Sequence, residues 1–265
     1  MTTKDNRAEK LRAVYKNAEK FLYEIAPPEV TGDEMERYFV VSKEQNTKSD
    51  ILHGLLLSLQ NRQMASNVIG FYREDRVPVF KEIFFDYDAD AILRAYTADT
   101  LLECFKERFN IKVENPKRNL WAAYAKSVIS ACKFLSGFDS AEEFDEFVMR
   151  FTYNEFTAAA LPMLLEKEIS GMGFALACDF LKDLGYTGYA KPDVHIKDIL
   201  SAFDLCEDKD YDAYKTIIEM ANAVGETPYK VDKVLWMIGS GNFYLHNVTV
   251  GRNKEKFTEK AKTYL

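Results

Sequence analysis

Proline and glycine are scarce. Seven prolines and twelve glycines in 265 residues leave few tight turns, which disfavours a many-stranded sandwich or barrel. Cysteine is sparse too: Cys104, Cys132, Cys178 and Cys206 lie far apart and form no C-x-x-C pair, so the ligand spacing of a zinc or iron–sulfur site is absent. Cys132 and Cys178 sit in apolar helical patterns and read as buried free thiols, which suits a reducing cytoplasm. A membrane-length apolar run is missing, and "MTTKDNRAEK" is polar and charged, unlike a signal peptide; a cytoplasmic location is expected. Excess positive charge is missing as well. With 35 basic and 42 acidic residues the net charge is -7, which argues against coating nucleic acid by charge alone but leaves room for a local basic cleft. The last stretch, "GRNKEKFTEKAKTYL", sets Arg252, Lys254, Lys256, Lys260 and Lys262 against Glu255 and Glu259 and reads as a solvated terminal helix.

Apolar residues are plentiful. Hydrophobic side chains make up 47% and aromatics 14% of the chain, enough for a sizeable core and against global disorder. Their spacing is helical almost throughout. In "LWAAYAKSVISACKFL" Trp121, Tyr124, Val128, Cys132 and Leu135 mark one apolar face, and Tyr211, Tyr214, Ile217, Ile218 and Ala221 mark another. Ser140 before Glu143 and Thr31 before Glu34 have the form of capping boxes. Thr227-Pro228 places a cap before a first-turn proline, and that helix should stop near Gly239 and Gly241. Strand signals are thin; "RYFVVS" and "VPVF" are short and ambiguous. Pro27-Pro28 breaks an N-terminal helix from the main body. The expectation is an all-α protein of roughly ten helices, from mean helix length.

Two elements carry chemistry. Gly171-Met172-Gly173 has the form of a turn between helices whose bare main chain can approach a phosphate, aided by the dipole of the helix that follows. Taken by itself, it reads first as an ordinary helix–helix turn. In "KPDVHIKDIL" Pro192 pushes Lys191 out of helix and sets Asp193 at an N-cap position, with His195 inside the first turn. By itself Asp193 is a preferred cap residue, worth about 1 kcal/mol.

Taken together and in this order, the two resemble the helix-hairpin-helix superfamily of DNA glycosylases, known as HhH-GPD. There a hairpin of the form Leu-Pro-Gly-Val-Gly precedes Val-Asp-Thr-His-Ile; here the segments read Ile169-Ser170-Gly171-Met172-Gly173 and Pro192-Asp193-Val194-His195-Ile196. The resemblance implies two helical subdomains with a helix-hairpin-helix motif and an active-site cleft between them. It gives Gly171, Met172, Gly173 and His195 to the DNA backbone and makes Asp193 the catalytic carboxylate. Upstream, Ser58-Leu59-Gln60 is similar to the family's Leu-Ser-x-Gln stretch, so Gln60, with Asn61 as runner-up, inherits the role of filling the space left by an extruded base. The likeness runs from about Asp50 to about Tyr244. It divides the chain into an N-terminal helical segment packing with the C-terminal helices (1-49), a helical-bundle subdomain (50-165), the hairpin and catalytic segment (166-200) and the C-terminal helices (201-265).

Three departures qualify it. Bifunctional members carry a lysine two residues after the second hairpin glycine; here that residue is Ala175, so no Schiff-base nucleophile is expected at that place. Lys167, Lys182 and Lys191 are close in sequence but do not match it. The cysteine cluster of some members is absent, so no iron–sulfur cluster or other cofactor is expected. Ser170 replaces the hairpin proline, and Phe174 stands where a basic residue would follow.

The implied function is base excision repair: a monofunctional N-glycosylase, acting as a monomer on double-stranded DNA that contains a damaged or mispaired base. The alternatives are a non-catalytic DNA-binding helix-hairpin-helix protein and an unrelated all-helical interaction protein in which the glycine turn and the capping Asp coincide by chance. An extruded base needs flat walls, and Trp121, Tyr124, Trp236 and Tyr244 are candidates, although aromatics on helical stripes usually serve the core. His53 reads as a helix-surface or interhelix contact and His246 has no evident partner.

Overall fold

A computed structural model describes residues 3–43, 47–64, 66–115 and 118–263. Its helices, in chain order, are α1 (Thr3–Ile25), α2 (Gly32–Glu36), α3 (Lys48–Leu59), α4 (Ser66–Ile69), α5 (Val77–Ile83), α6 (Ala89–Ala95), α7 (Ala98–Phe109), α8 (Leu120–Leu135), α9 (Ala141–Arg150), α10 (Glu155–Glu168), α11 (Phe174–Asp183), α12 (Val194–Ala202), α13 (Asp210–Val224), α14 (Pro228–Ser240) and α15 (Lys254–Lys262). Among the described residues the strands are two short antiparallel pieces, β1 (Asn242–Phe243) and β2 (Val248–Thr249), with Asn242 facing Thr249. The architecture is all-α. No helix among the described residues is long and apolar enough to cross a membrane.

The chain divides into two compact units, one of Met1–Ser42 and Gly185–Leu265, the other of Lys43–Leu184. The divide after Leu184 falls inside the segment 166–200, so the hairpin and Asp193 belong to different units. In the first unit α1 packs on α13, α14 and α15. Leu11, Val14, Ala18 and Leu22 of α1 are buried in one core with Ile217 and Met220 of α13 and Val231, Val234 and Ile238 of α14. In the second unit α8 is the hub for α3, α6 and α7, and α11 packs on α3 and α10. The apolar face read along α8 is buried from Trp121 to Leu135.

Local signals explain most helix ends. Thr227 accepts a hydrogen bond from the Lys230 amide, and α14 ends at Gly241, whose φ of 69° needs no Cβ to be accommodated. Ser140 accepts from the Glu143 amide, while the Glu143 carboxylate takes the Asp139 amide rather than that of Ser140. Thr31 makes no side-chain cap; Glu34 instead meets Arg37 at 2.6 Å and His246 at 3.3 Å. "VPVF" is the first turn of α5 with its proline at the helix start, and Arg37–Phe39 is a 3-10 turn. Both had strand-like composition; in "VPVF" the proline at the helix start overrode it.

Candidate active site

The second unit supplies the hairpin. α10 ends at Ile169 and α11 begins after Gly173. Within the turn the Met172 amide donates to the Ile169 carbonyl at 3.1 Å, and the Ser170 amide donates to Ser130 Oγ at 2.8 Å. The two glycines do different work. Gly171 has a φ of 84°, and a Cβ there would lie 2.7 Å from Ser127 Oγ and 2.8 Å from an Arg62 guanidinium nitrogen. Gly173 has an ordinary extended φ of -97° and would meet nothing within 4 Å. It supplies no side-chain cap, so the Ala175 and Leu176 amides in the first turn of α11 keep the partial positive character of a helix start. Met172 itself is 3% exposed: its side chain anchors the hairpin and its amide closes the turn.

Arg62 belongs to no motif in the sequence although it follows Gln60 and Asn61 directly. Its guanidinium beside Gly171 supplies a positive charge to the hairpin that Ser170 and Phe174 do not. The signal was a cation at the end of an apolar helix, but only the folded chain brings it to a glycine more than a hundred residues later.

Gln60 lies inside. It is 1% exposed, and its side-chain oxygen accepts the Phe71 amide at 3.0 Å. A side chain so held is a strut between α3 and the segment after α4. Asn61 is half-buried. Trp121 and Tyr124 also face inward, at 4% and 3% exposure. Trp121 packs against Phe105 and Phe109 at centroid distances of 5.3 and 5.0 Å, and Tyr124 donates to the Leu56 carbonyl at 3.2 Å. Both serve the unit's aromatic core. Helical spacing marks such residues as inward-facing without saying whether a ligand or a neighbouring helix fills that side.

His53 of α3 packs its ring against Tyr87 and Phe71, and the loss of water around it lowers its pKa from the ordinary 6.5, with Asp50 opposing. Beside it runs a groove of about 260 Å³, lined by Asp50, His53, Leu57, Ser58, Phe180 and Asp183 among others. Of the nearby lysines, Lys182 is buried with Asp179 at 2.9 Å, Lys167 is exposed and Lys191 half-buried.

The first unit supplies Asp193. It is the half-buried N-cap of α12, and its Oδ1 accepts the Ile196 amide at 3.1 Å. The turn that carries it is fixed to α14. The Tyr229 amide donates to the Thr187 carbonyl at 3.1 Å, and the Lys191 amide donates to the Asp232 carboxylate, which is 1% exposed. A Cβ on Gly239 would sit 2.6 Å from the Cβ of His195, so this glycine lets α12 and α14 touch closely. His195 is half-buried, and its Nδ1 is sealed from water without a hydrogen-bond partner. A bare lone pair there is cheaper than a buried, unpaired N–H, which favours the tautomer with the proton on Nε2. Trp236 and Tyr244 are half-buried, with centroids 6.1 Å apart. His246, whose partners the sequence did not reveal, bonds the Tyr38 hydroxyl at 2.7 Å. Among the described residues no group of three or more His, Cys, Asp or Glu side chains is placed to hold a metal ion.

This arrangement, an all-α chain with a glycine hairpin followed by an aspartate-capped helix, defines a helix-hairpin-helix fold. It is similar to the crystal structure of Methanocaldococcus jannaschii 8-oxoguanine glycosylase/lyase in complex with a 15mer DNA containing 8-oxoguanine. The match covers 86% of this chain and 97% of that one at 17% identity, with a TM-score of 0.55. At that identity the likeness is one of fold. No protein-family model matches the chain, and neither does any curated protein.

Proposed function

We propose that the protein is a monofunctional DNA N-glycosylase acting on a damaged or mispaired base. The observation that carries this reading is the order of hairpin, helix and capping aspartate within a chain that has the fold of a solved DNA glycosylase. Each unit is assigned one part. In the second, Gly173 and the first-turn amides of α11 take a DNA phosphate, helped by Arg62. In the first, Asp193 faces the sugar, with His195 as a donor to the backbone. The space-filling role passes from Gln60 to Asn61, because Gln60 is held by Phe71.

The chemistry is hydrolysis. The N-glycosidic bond breaks with its electron pair leaving on the base, and the sugar becomes oxocarbenium-like. The free oxygen of the Asp193 carboxylate stabilises that charge and accepts the proton of the water whose oxygen bonds to the anomeric carbon. Asp193 keeps one oxygen on the Ile196 amide, which fixes the direction of the other.

A panel of duplexes, each with one lesion, tests the activity by release of free base. Asp193→Asn keeps an oxygen for the Ile196 amide and therefore the fold. It is expected to lower excision by a factor of about a hundred or more, the range for a positioned acid–base group, and to leave duplex affinity in place. Excision at the wild-type rate by this variant overturns the assignment. Ala175 cannot form an imine, and borohydride trapping tests whether a lysine elsewhere does; a monofunctional enzyme is expected to give no covalent adduct.

The capping role of Asp193, the -7 charge of the chain and Ser170 and Phe174 in the hairpin favour a second reading, a DNA-binding protein without excision. Salt-sensitive duplex binding with no base released from any lesion would select it.

A further inference from the structure

The first unit holds a lysine among aromatic rings beside the Asp193 turn. Lys233 of α14 places its ammonium 5.3 Å from the ring centre of Tyr229, 5.8 Å from that of Trp236 and 4.9 Å from that of Tyr244. Its position relative to Asp193 follows from two contacts. The Lys191 amide meets Asp232, and His195 meets Gly239. Asp232 and Gly239 are two turns apart, about 10 Å along a helix. The chain between them, with Asp193 at its middle, therefore runs along the stretch of α14 that bears Lys233 and Trp236. Trp236 stands about 40° and Lys233 about 100° around the helix from Asp232, so both flank the Asp193 turn on one side.

We propose that Lys233, Trp236 and Tyr244 form a recognition face for a nucleobase that presents carbonyl oxygens, the product of oxidation or deamination. The inference rests on the glycosylase reading of Asp193 and names its substrate class. Half-buried rings offer a stacking surface. An ammonium has three donors and no acceptor, so it pairs with carbonyl edges. It repels a cationic base such as an N7-alkylated purine, because like charges this close disfavour each other. Intact bases that also carry carbonyls are left in the stack, where extrusion is most costly for a well-paired base.

The full-length chain is offered duplexes carrying 8-oxoguanine, hypoxanthine, uracil or N7-methylguanine. At least one carbonyl-bearing lesion is expected to be released tenfold or more faster than N7-methylguanine, and Lys233→Met is expected to cut that ratio at least tenfold. Faster release of N7-methylguanine, or an unchanged ratio in Lys233→Met, overturns the face. If the wild type releases nothing, the glycosylase reading fails and the face is judged by binding. Trp121 is buried and Trp236 half-buried, so Trp236 is the residue whose fluorescence free bases should quench. Quenching by xanthine or hypoxanthine that disappears in Trp236→Phe and weakens in Lys233→Met keeps the face. Absence of quenching, or equal quenching in wild type and Lys233→Met, removes it.

Discussion

The two hairpin glycines show how much a single residue can conceal. Their spacing was legible in the sequence, but their division of labour was not, because it depends on Arg62 and Ser127, which arrive from distant helices. Gly171→Ala would force a left-handed φ on a side chain, at about 1–2 kcal/mol, and push its Cβ against Arg62. Gly173→Ala meets open space at an ordinary φ. Gly171→Ala is therefore expected to lower the melting temperature by several degrees. Gly173→Ala should leave it nearly unchanged yet weaken duplex binding several-fold, by filling the approach to the α11 amides. Thermal melts and a binding titration on both variants check this; a Gly173→Ala protein that binds as wild type would show that the phosphate is held elsewhere. Gln60 carries the complementary lesson. A polar residue at a helix end looks exposed in a one-dimensional pattern, but the Phe71 amide, released by the turn after α4, draws it inside.

Among the elements, α14 organises the region around Asp193. Its start takes Thr187, its first turns take Lys191 through Asp232, and its end admits His195 at Gly239. The cap at Thr227 and the stop at Gly241 could be read from the sequence because they depend on neighbours in the chain. The contact at Gly239 could not, since it depends on α12. Gly239→Ala places a methyl group against the Cβ of His195, which cannot swing aside as a side-chain tip would. α12 must then shift, at a cost of about 1–3 kcal/mol, as for overpacking elsewhere. The expected outcome is a lower melting temperature and a fall in excision larger than the fall in duplex affinity, because Asp193 is displaced while the hairpin is untouched. Denaturation curves and single-turnover excision measured on the same preparation decide it. The cluster of Lys233 with three rings was half-visible: Trp236 and Tyr244 stood out as aromatics, but the lysine between them drew no notice because an isolated cation on an amphipathic helix is ordinary.

On the scale of the whole molecule, the all-α class follows from helical periodicity, which survives folding because each buried face belongs to one helix. The two-unit division was less legible, because segments distant in sequence are joined by packing that no linker marks. Stability of the whole should depend on pH through His53. Its folded-state pKa lies below the ordinary 6.5 because burial disfavours the charged ring. Below 6.5 the unfolded chain takes up a proton more readily than the folded one, so stability is fullest above that pH and declines as pH falls through the folded-state value. His53→Phe keeps an aromatic ring there and should flatten this acid limb. Urea denaturation of both proteins between pH 7.5 and pH 5, within the range where histidine titrates, measures it; parallel curves would place the sensitivity elsewhere.

The chain leaves its first unit at Ser42 and returns at Gly185, and this threading has a consequence for biosynthesis. The interior of the second unit is a single continuous stretch that can assemble while later codons are still being read. α1 is translated before the second unit, yet its apolar stripe is covered by α13, α14 and α15, which are translated after that unit. Until they arrive, that helix must stay solvated or sheltered by a chaperone, and the unit bearing Asp193 is completed only after the second unit has been made.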